Sequence, residues 1–196
     1  MAKIDIYFLK QILVLSTSCL HSFTGGIVHA FPSVLNPAIL SLDTTDIKAS
    51  PDDASWIAAS FGLSGILGFI ILSPIFQIVG RKPVNIILNI FLLIGWIILY
   101  FANSVTHLII GRLIQGLSLG GIYIVAITLG EYSHRKRRGY FMAVKKVSLA
   151  TGSLVCHSLG LIISWRQIVI VGAGAISLST ILLLPCPESP AFLAMK

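Results

Sequence analysis

Six long stretches without a single Asp, Glu, Lys or Arg dominate this sequence. A helix needs about 20 mostly apolar residues to cross the hydrocarbon core of a membrane. Backbone groups in lipid must also satisfy their own hydrogen bonds, which a helix achieves. We therefore predict six membrane-spanning helices, each from one stretch. The charge-free stretches cover residues 11–42, 54–80, 83–111, 113–130, 147–165 and 167–187. The predicted spans are roughly 11–33, 55–79, 84–103, 107–130, 140–163 and 167–186.

The overall composition points to the same class of protein. The chain has 196 residues, of which 56% are hydrophobic and only 11% are charged, and its mean hydropathy is +0.93. A soluble domain of this size needs more polar surface than these charges supply. We predict an all-α fold, a polytopic bundle of six transmembrane helices that forms one domain over residues 1–196. An enzyme is not expected, since the spacing of His, Cys, Asp and Glu predicts neither a metal site nor a cofactor site.

The basic residues predict the orientation of the bundle. With six spans, nearly all of them fall on the side that holds both termini, and the positive-inside rule makes that side cytoplasmic. Lys48 and Arg166 remain outside, and Arg112 lies within the fourth span. The net charge of +7 is thus a topology signal and not a nucleic-acid surface. An integral protein of the plasma membrane is expected. The cytoplasmic bases are Lys3, Lys10, Arg81, Lys82, Arg135, Lys136, Arg137, Arg138 and Lys196.

Other interpretations of the apolar segments are less favoured. Val28-His29-Ala30 resembles a signal-peptide cleavage site, but the charge-free run continues and five more spans follow. Asn36-Pro37-Ala38 resembles a channel triplet, but it occurs once where a channel of that type needs two.

Small residues recur at helical spacing and predict close helix contacts. Glycine lets two backbones approach, which is how helices associate in lipid. Such stripes occur in the second span (Gly62, Gly65, Gly68), the fourth (Gly116, Gly120, Gly121) and the fifth (Ser148, Gly152, Cys156, Gly160).

Four short motifs lie at the edges of the predicted spans. They are, in chain order, Gly80-Arg81-Lys82, Gly111-Arg112-x-x-x-Gly116, Gly130-Glu131 followed by Arg138-Gly139, and Pro187-Glu188-Ser189-Pro190. In this order they resemble the sugar porter family of the major facilitator superfamily. Gly26 to Ala30 and Ser55-Trp56 are most similar to the facilitated trehalose transporters within it.

The resemblance implies a twelve-helix transporter made of two six-helix halves, which moves a hexose or trehalose by alternating access. It also implies that a cytoplasmic charge network holds the inner gate. The alternative is that these are solvated charges beside anionic lipid. Gln77, Ile78 and Ala191 depart from the family pattern, where charged residues are usual. The implied network is Arg81, Lys82, Glu131, Arg138 and Glu188.

The resemblance places substrate-lining positions on the fifth span. Lys146 matches a sugar-contacting glutamine and Ser153 matches a second lining residue. Lys146 is only about two turns deep, so its ammonium can instead snorkel to the interface. Arg112 allows the same two interpretations. The first span has no acid. It does contain His21 and His29, and histidine is the side chain that ordinarily changes charge near neutral pH, but a lone histidine in a span is more often a packing or interface residue. Facilitated transport without proton coupling is therefore the expectation.

The chain ends just after the sixth span, where relatives continue into a second half. It is therefore expected to be either a fragment or a half-size protein. The expected partners are a sugar, the lipid bilayer, and the missing carboxy-terminal half or a second copy. The alternative function is a truncated half-transporter that acts as a non-transporting or regulatory membrane partner. A lone six-helix monomer would leave one cavity wall open to lipid.

Overall fold

The computed structural model describes residues 2–41, 47–133 and 136–195, and within these ranges it contains helices and no strand. The all-α prediction is confirmed. The helices are α1 (Ala2–Leu40), α2 (Pro51–Val79), α3 (Arg81–Tyr100), α4 (Val105–Leu117), α5 (Gly121–Tyr132), α6 (Arg138–Gly160), α7 (Trp165–Leu183) and the short α8 (Pro190–Met195).

The helix boundaries follow from local capping. Ser50 and Asp53 form a reciprocal box at the start of α2, in which the Asp53 amide donates to Ser50 Oγ and the Ser50 amide donates to Asp53 Oδ2. Two acids in the first turn also complement the positive end of the helix dipole. The Ser164 amide donates to Gln167 Oε1 at 3.1 Å in the same way before α7. These caps start α2 at Pro51 and α7 at Trp165, in both cases before the predicted span begins at 55 or 167.

The fourth predicted span is not one continuous helix, which corrects the prediction for residues 107–130. It divides into α4 and α5 at residues 118–120, where the Leu119 amide bonds to the Gly116 carbonyl and the Gly121 amide to the Ser118 carbonyl, each at 2.8 Å. These are three-residue turns, tighter than the α-helix. Glycine has a low helix propensity, so Gly120 and Gly121 permit the break.

Four described helices are long and apolar enough to cross a membrane: residues Phe8–Leu40 of α1, together with α2, α3 and α7. The broken α4–α5 segment and α6, which carries Arg138, Lys145 and Lys146, are not among them. The count of six spans therefore stays a prediction. The predicted spans otherwise lie close to helices, except that α1 extends beyond residues 11–33 at both ends.

The bundle packs around a core of fully buried side chains. In the contacts between helices, α1 lies against α6 and α7, α2 against α4, and α3 against both α4 and α7. Phe31, Ile57, Trp96, Leu108 and Ile168 fill the space between them and have no exposed surface. Conversely, α2 presents exposed apolar side chains outward, as expected for a lipid-facing helix.

The glycine stripes are where backbones touch. A Cβ added at Gly152 of α6 would overlap the Phe23 carbonyl of α1, and one added at Gly116 of α4 would overlap the Phe61 carbonyl of α2. Gly68 likewise lies against the Leu117 backbone. The prediction of close contact is confirmed at these positions. It is wrong at Gly62, where an added Cβ meets nothing.

The carboxyl end of α3 is held by the start of α7. Arg166 donates from Nη1 to the Tyr100 carbonyl at 2.5 Å and from Nη2 to the Ala102 carbonyl at 2.9 Å. Its guanidinium also stacks over the Trp165 ring, 4.5 Å from the centroid. A cation at this end complements the negative end of the helix dipole.

Candidate functional site

The predicted gate residues converge at the end of the bundle where α2 turns into α3, which we call the Arg81 end. Gly80 alone separates the two helices, with φ at 115° and ψ at 173°. Only glycine occupies that region readily. The sharp turn places the first amides of α3 beside the segment that follows α7.

Glu188 caps the amino end of α3. Its Oε1 accepts from the Arg81 amide at 2.9 Å and from the Lys82 amide at 3.2 Å, and also from the Ser189 amide at 3.0 Å. Orphan amides at a helix start bind a carboxylate well, and the helix dipole adds to the attraction. Glu188 is thus satisfied by backbone amides.

Arg81 and Glu131 form a paired, nearly buried contact between α3 and α5. Arg81 Nη2 donates to Glu131 Oε1 at 2.8 Å and Nε donates to Oε2 at 3.0 Å. The side chains are only 7% and 16% exposed. Phe76 and Phe192 flank the guanidinium at 4.5 and 5.1 Å. Ser189 Oγ donates to Glu131 Oε2 at 2.5 Å.

These contacts determine the charge state of Glu131. Burial by itself would raise the pKa of this carboxyl. The hydrogen bonds from Arg81 and Ser189, together with the positive charge of Arg81, outweigh burial and lower the pKa below its ordinary value. The pair is therefore fully charged at neutral pH.

Lys82 and Arg138 make different contacts from those of Arg81. Lys82 Nζ donates to the Leu184 carbonyl at the end of α7, at 2.6 Å. Arg138 is exposed and lies against Gly130, and within the described residues no ion pair joins it to Glu131 or Glu188. Arg135, in the same basic segment, lies outside the described residues. Here the rim cluster means Arg81, Lys82, Glu131, Glu188 and Ser189.

Two residues at the Arg81 end, Tyr132 and Ser189, were not among the site residues predicted from the sequence. Tyr132 donates from its hydroxyl to the Pro187 carbonyl at 2.5 Å, and its own carbonyl accepts from Gln11 Nε2 at 2.8 Å. Ser189 reaches Glu131, as described above. Ser189 was signalled by its place inside the Pro-Glu-Ser-Pro motif. Tyr132 carried no signal beyond following Glu131.

A small polar cavity lies inside the bundle next to the rim cluster. Its volume of about 30 Å³ holds about two water molecules and is too small for a sugar. His21 Nδ1 pairs with Asn89 Oδ1 at 2.8 Å beside it, and Asn85 Oδ1 has no partner. Among the described residues, no group of three His, Cys, Asp or Glu side chains could hold a metal ion.

The two lining candidates are about two turns apart along α6 and so lie on the same side of that helix. Ser153 Oγ donates to the Gly26 carbonyl of α1 at 3.0 Å, so it faces the α1 contact. Lys146 is exposed, whereas its neighbour Lys145 is 7% exposed and packs inward. Arg112 is 1% exposed and lies among α1, α2 and α4, so it does not snorkel to an interface.

The turn at Gly80 gives a first testable prediction. Gly80→Ala is expected to lower the free energy of unfolding by about 2 kcal/mol, because φ of 115° strains any side chain. The new Cβ would also meet Glu188 Oε2 at 2.9 Å. Thermal unfolding in detergent measures this. Gly139→Ala at the same end is the control, since its Cβ meets nothing. Equal losses in the two variants would contradict the assignment.

Comparisons with known proteins agree with this architecture. The family model "Sugar (and other) transporter" matches residues 11–196. The chain is 30% identical over 174 residues to Sugar transporter ERD6-like 15 of Arabidopsis thaliana, which covers 88% of this chain and 36% of that protein. It is 27% identical over 189 residues to Facilitated trehalose transporter Tret1 of Polypedilum vanderplanki, covering 94% and 37%.

Solved structures show the same fold. The partially occluded, inward-open xylose transporter XylE from E. coli superposes with a TM-score of 0.75 at 16% identity, over 96% of this chain and 50% of that one. The chain thus spans roughly half of that structure and just over a third of the curated relatives' length. The relatives are transporters, which supports the interpretation that this chain is not an enzyme. The chain belongs to the sugar (and other) transporter family and is an integral membrane protein with the helical fold of a major facilitator half.

Proposed function

We propose that this chain is the amino-terminal half of a facilitative sugar transporter, which carries a hexose or trehalose by alternating access. The observation that carries the proposal is the rim cluster. It joins the start of α3, the end of α5 and the segment after α7 through charged contacts. Family membership supplies the substrate class. In this proposal both termini are cytoplasmic, the membrane is the plasma membrane, and the Arg81 end is the inner end.

The rim cluster would act as the inner latch. Its Arg81–Glu131 pair is partly desolvated, so making or breaking it changes the energy by enough to bias two conformations. Ser189 and Glu188 extend the latch to the segment that leads out of α7. With the latch formed, the inner ends of three helices move together. Arg138, exposed at the edge, is placed to join the network only when this end rearranges.

The substrate wall would be formed by α1 and α6. Ser153 ties the two helices together through the Gly26 carbonyl, and Lys146 is exposed on α6 nearer the Arg81 end. The opposite wall would come from a carboxy-terminal half or a second copy. Since α1 carries no acid among residues 11–40, uniport without proton coupling is the simplest cycle.

Uptake into proteoliposomes tests the proposal. Vesicles that hold only this chain as a monomer are expected to take up neither labelled glucose nor labelled trehalose. Co-reconstitution with the carboxy-terminal half of Tret1 is expected to give saturable uptake that Glu131→Gln abolishes and Arg138→Gln retains in part. Uptake by the monomer alone would overturn the two-half arrangement. Absence of uptake with that half, together with inhibition of intact Tret1 by the chain, would favour the regulatory alternative.

A further inference from the structure

Pro32 lies inside the continuous helix α1, beside fully buried residues such as Phe31. Pro32 has no amide hydrogen, so the Val28 carbonyl, four residues earlier, loses its helical donor. Val28 is 1% exposed and Phe31 is fully buried, so solvent does not reach this carbonyl. An unpaired buried carbonyl is costly, and in a membrane helix a neighbouring group must satisfy it.

Arg112 of α4 supplies the donor. Its Nη1 lies 3.0 Å from the Val28 carbonyl oxygen and 3.0 Å from Gln115 Oε1. The guanidinium stacks over Phe61 of α2, 4.6 Å from the ring centroid. The side chain therefore joins three helices at one point.

No carboxylate neutralises this arginine within the described part of the chain, where the one ion pair is Arg81–Glu131. Its charge is offset instead by a carbonyl dipole, an amide oxygen and an aromatic face. A hydrogen bond from a charged donor to a free carbonyl is stronger than the neutral bond that Pro32 removes.

We infer that Arg112 is a positioning residue that replaces the hydrogen bond missing at Pro32 and so fixes the position of this part of α1 relative to α4. Proline kinks in membrane helices persist when a neighbour re-satisfies the freed carbonyl. The Val28 carbonyl lies close in the chain to Gly26, whose carbonyl accepts from Ser153. Arg112 thus acts through α1 on the α1–α6 wall. The inference holds whether or not the chain transports sugar.

A double-mutant cycle on the whole chain in detergent tests it. Arg112→Met removes the donor and keeps a similar length, and is expected to lower the midpoint of thermal unfolding by roughly 3–6 °C. In the Pro32→Ala background residue 32 regains its amide, so the same change is expected to lower the midpoint by less than half as much. Arg112→Lys retains a donor and is expected to lose less than Arg112→Met.

A distance measurement gives an independent readout. Spin labels at the exposed positions Ile12 and Leu40 of α1 report the end-to-end distance of the segment that contains Pro32. Arg112→Met is expected to broaden this distance distribution with Pro32 present and to leave it narrow in Pro32→Ala. Pro74→Ala in α2 is the control and should not couple to Arg112.

Equal effects of Arg112→Met in both backgrounds would overturn the inference, as would equal coupling to Pro74→Ala. If Arg112→Met does not accumulate, Arg112→Lys in the two backgrounds provides the same cycle. In that case the loss must shrink with Pro32→Ala, and a loss of the same size overturns the inference.

Discussion

Replacing Gly152 with alanine is expected to force α1 and α6 apart and to lower the free energy of unfolding by about 3 kcal/mol. The new Cβ would overlap the Phe23 carbonyl, and backbone cannot rotate away as a side chain can. A Cβ added at Gly26 of α1 would likewise overlap the Leu149 carbonyl of α6. There is therefore no space for a methyl group between α1 and α6 at either contact. The effect is measured by heating the protein in detergent and monitoring the loss of monodisperse protein as it unfolds.

Gly62→Ala is the matched control for this change. Gly62 is also a helical glycine of a predicted stripe, but a Cβ there meets nothing. The substitution is expected to change the free energy of unfolding by less than about 0.5 kcal/mol, apart from a gain in helix propensity. If both alanines destabilised the chain equally, the loss would reflect glycine flexibility and not the α1–α6 contact.

Glu131→Gln is expected to have a similarly large effect, lowering the free energy of unfolding by about 3 kcal/mol. It leaves the Arg81 guanidinium nearly buried between Phe76 and Phe192 without its counter-charge. Arg138→Gln, an exposed cation at the same end, is expected to change stability by about 0.5 kcal/mol or less. Chemical unfolding of both variants in one detergent gives the comparison.

Acid titration distinguishes the loss of the Arg81–Glu131 ion pair from a change in side-chain packing at residue 131. Because the pKa of Glu131 is lowered in the folded chain, its contribution is complete above its ordinary pKa and is lost as the pH falls through the lowered value. Wild-type chain should lose this stability on the acid side, whereas Glu131→Gln should not. An identical acid response in the two proteins would contradict the pairing.

Three of the long helices were predictable from the sequence because the physics of lipid leaves few options. Charge-free stretches must be helical, so α2, α3 and α7 begin and end within a few residues of the prediction. The break between α4 and α5 was not predicted, since two glycines alone do not distinguish a helix contact from a turn. In the structure, Gly120 packs against the Phe69 backbone and Gly121 packs against the Leu88 side chain at this turn.

The faces of the helices were less predictable than their ends. A helix that is apolar all round gives little indication of which side is buried. Nothing in the sequence indicates that Lys145 packs inward while Lys146 is exposed. For the same reason the partner of Arg112 was missed, although Pro32 marks a free carbonyl in the sequence itself.

The motifs indicated that Arg81, Glu131 and Glu188 lie together, but not how they bond, and Arg138 forms no ion pair with either acid in the described part of the chain. Glu188 was expected in a network of side-chain charges, and it is instead bound by the amides of Arg81, Lys82 and Ser189. Lys82 bonds to a helix carbonyl. Both contacts depend on where helix ends lie in space, which residue type does not determine.

The attachments of α3 have a consequence for how this half could deform. Glu188, in the segment after α7, accepts from the first amides of α3. Arg166, at the start of α7, donates to the last carbonyl of α3, that of Tyr100, and to the Ala102 carbonyl just beyond it. Axial slip of α3 past α7 would sever both anchors at once, whereas turning the two helices together would sever neither. We therefore expect α3 and α7 to move together as one rigid unit. Any flexing must then be taken up by the other helices of this half.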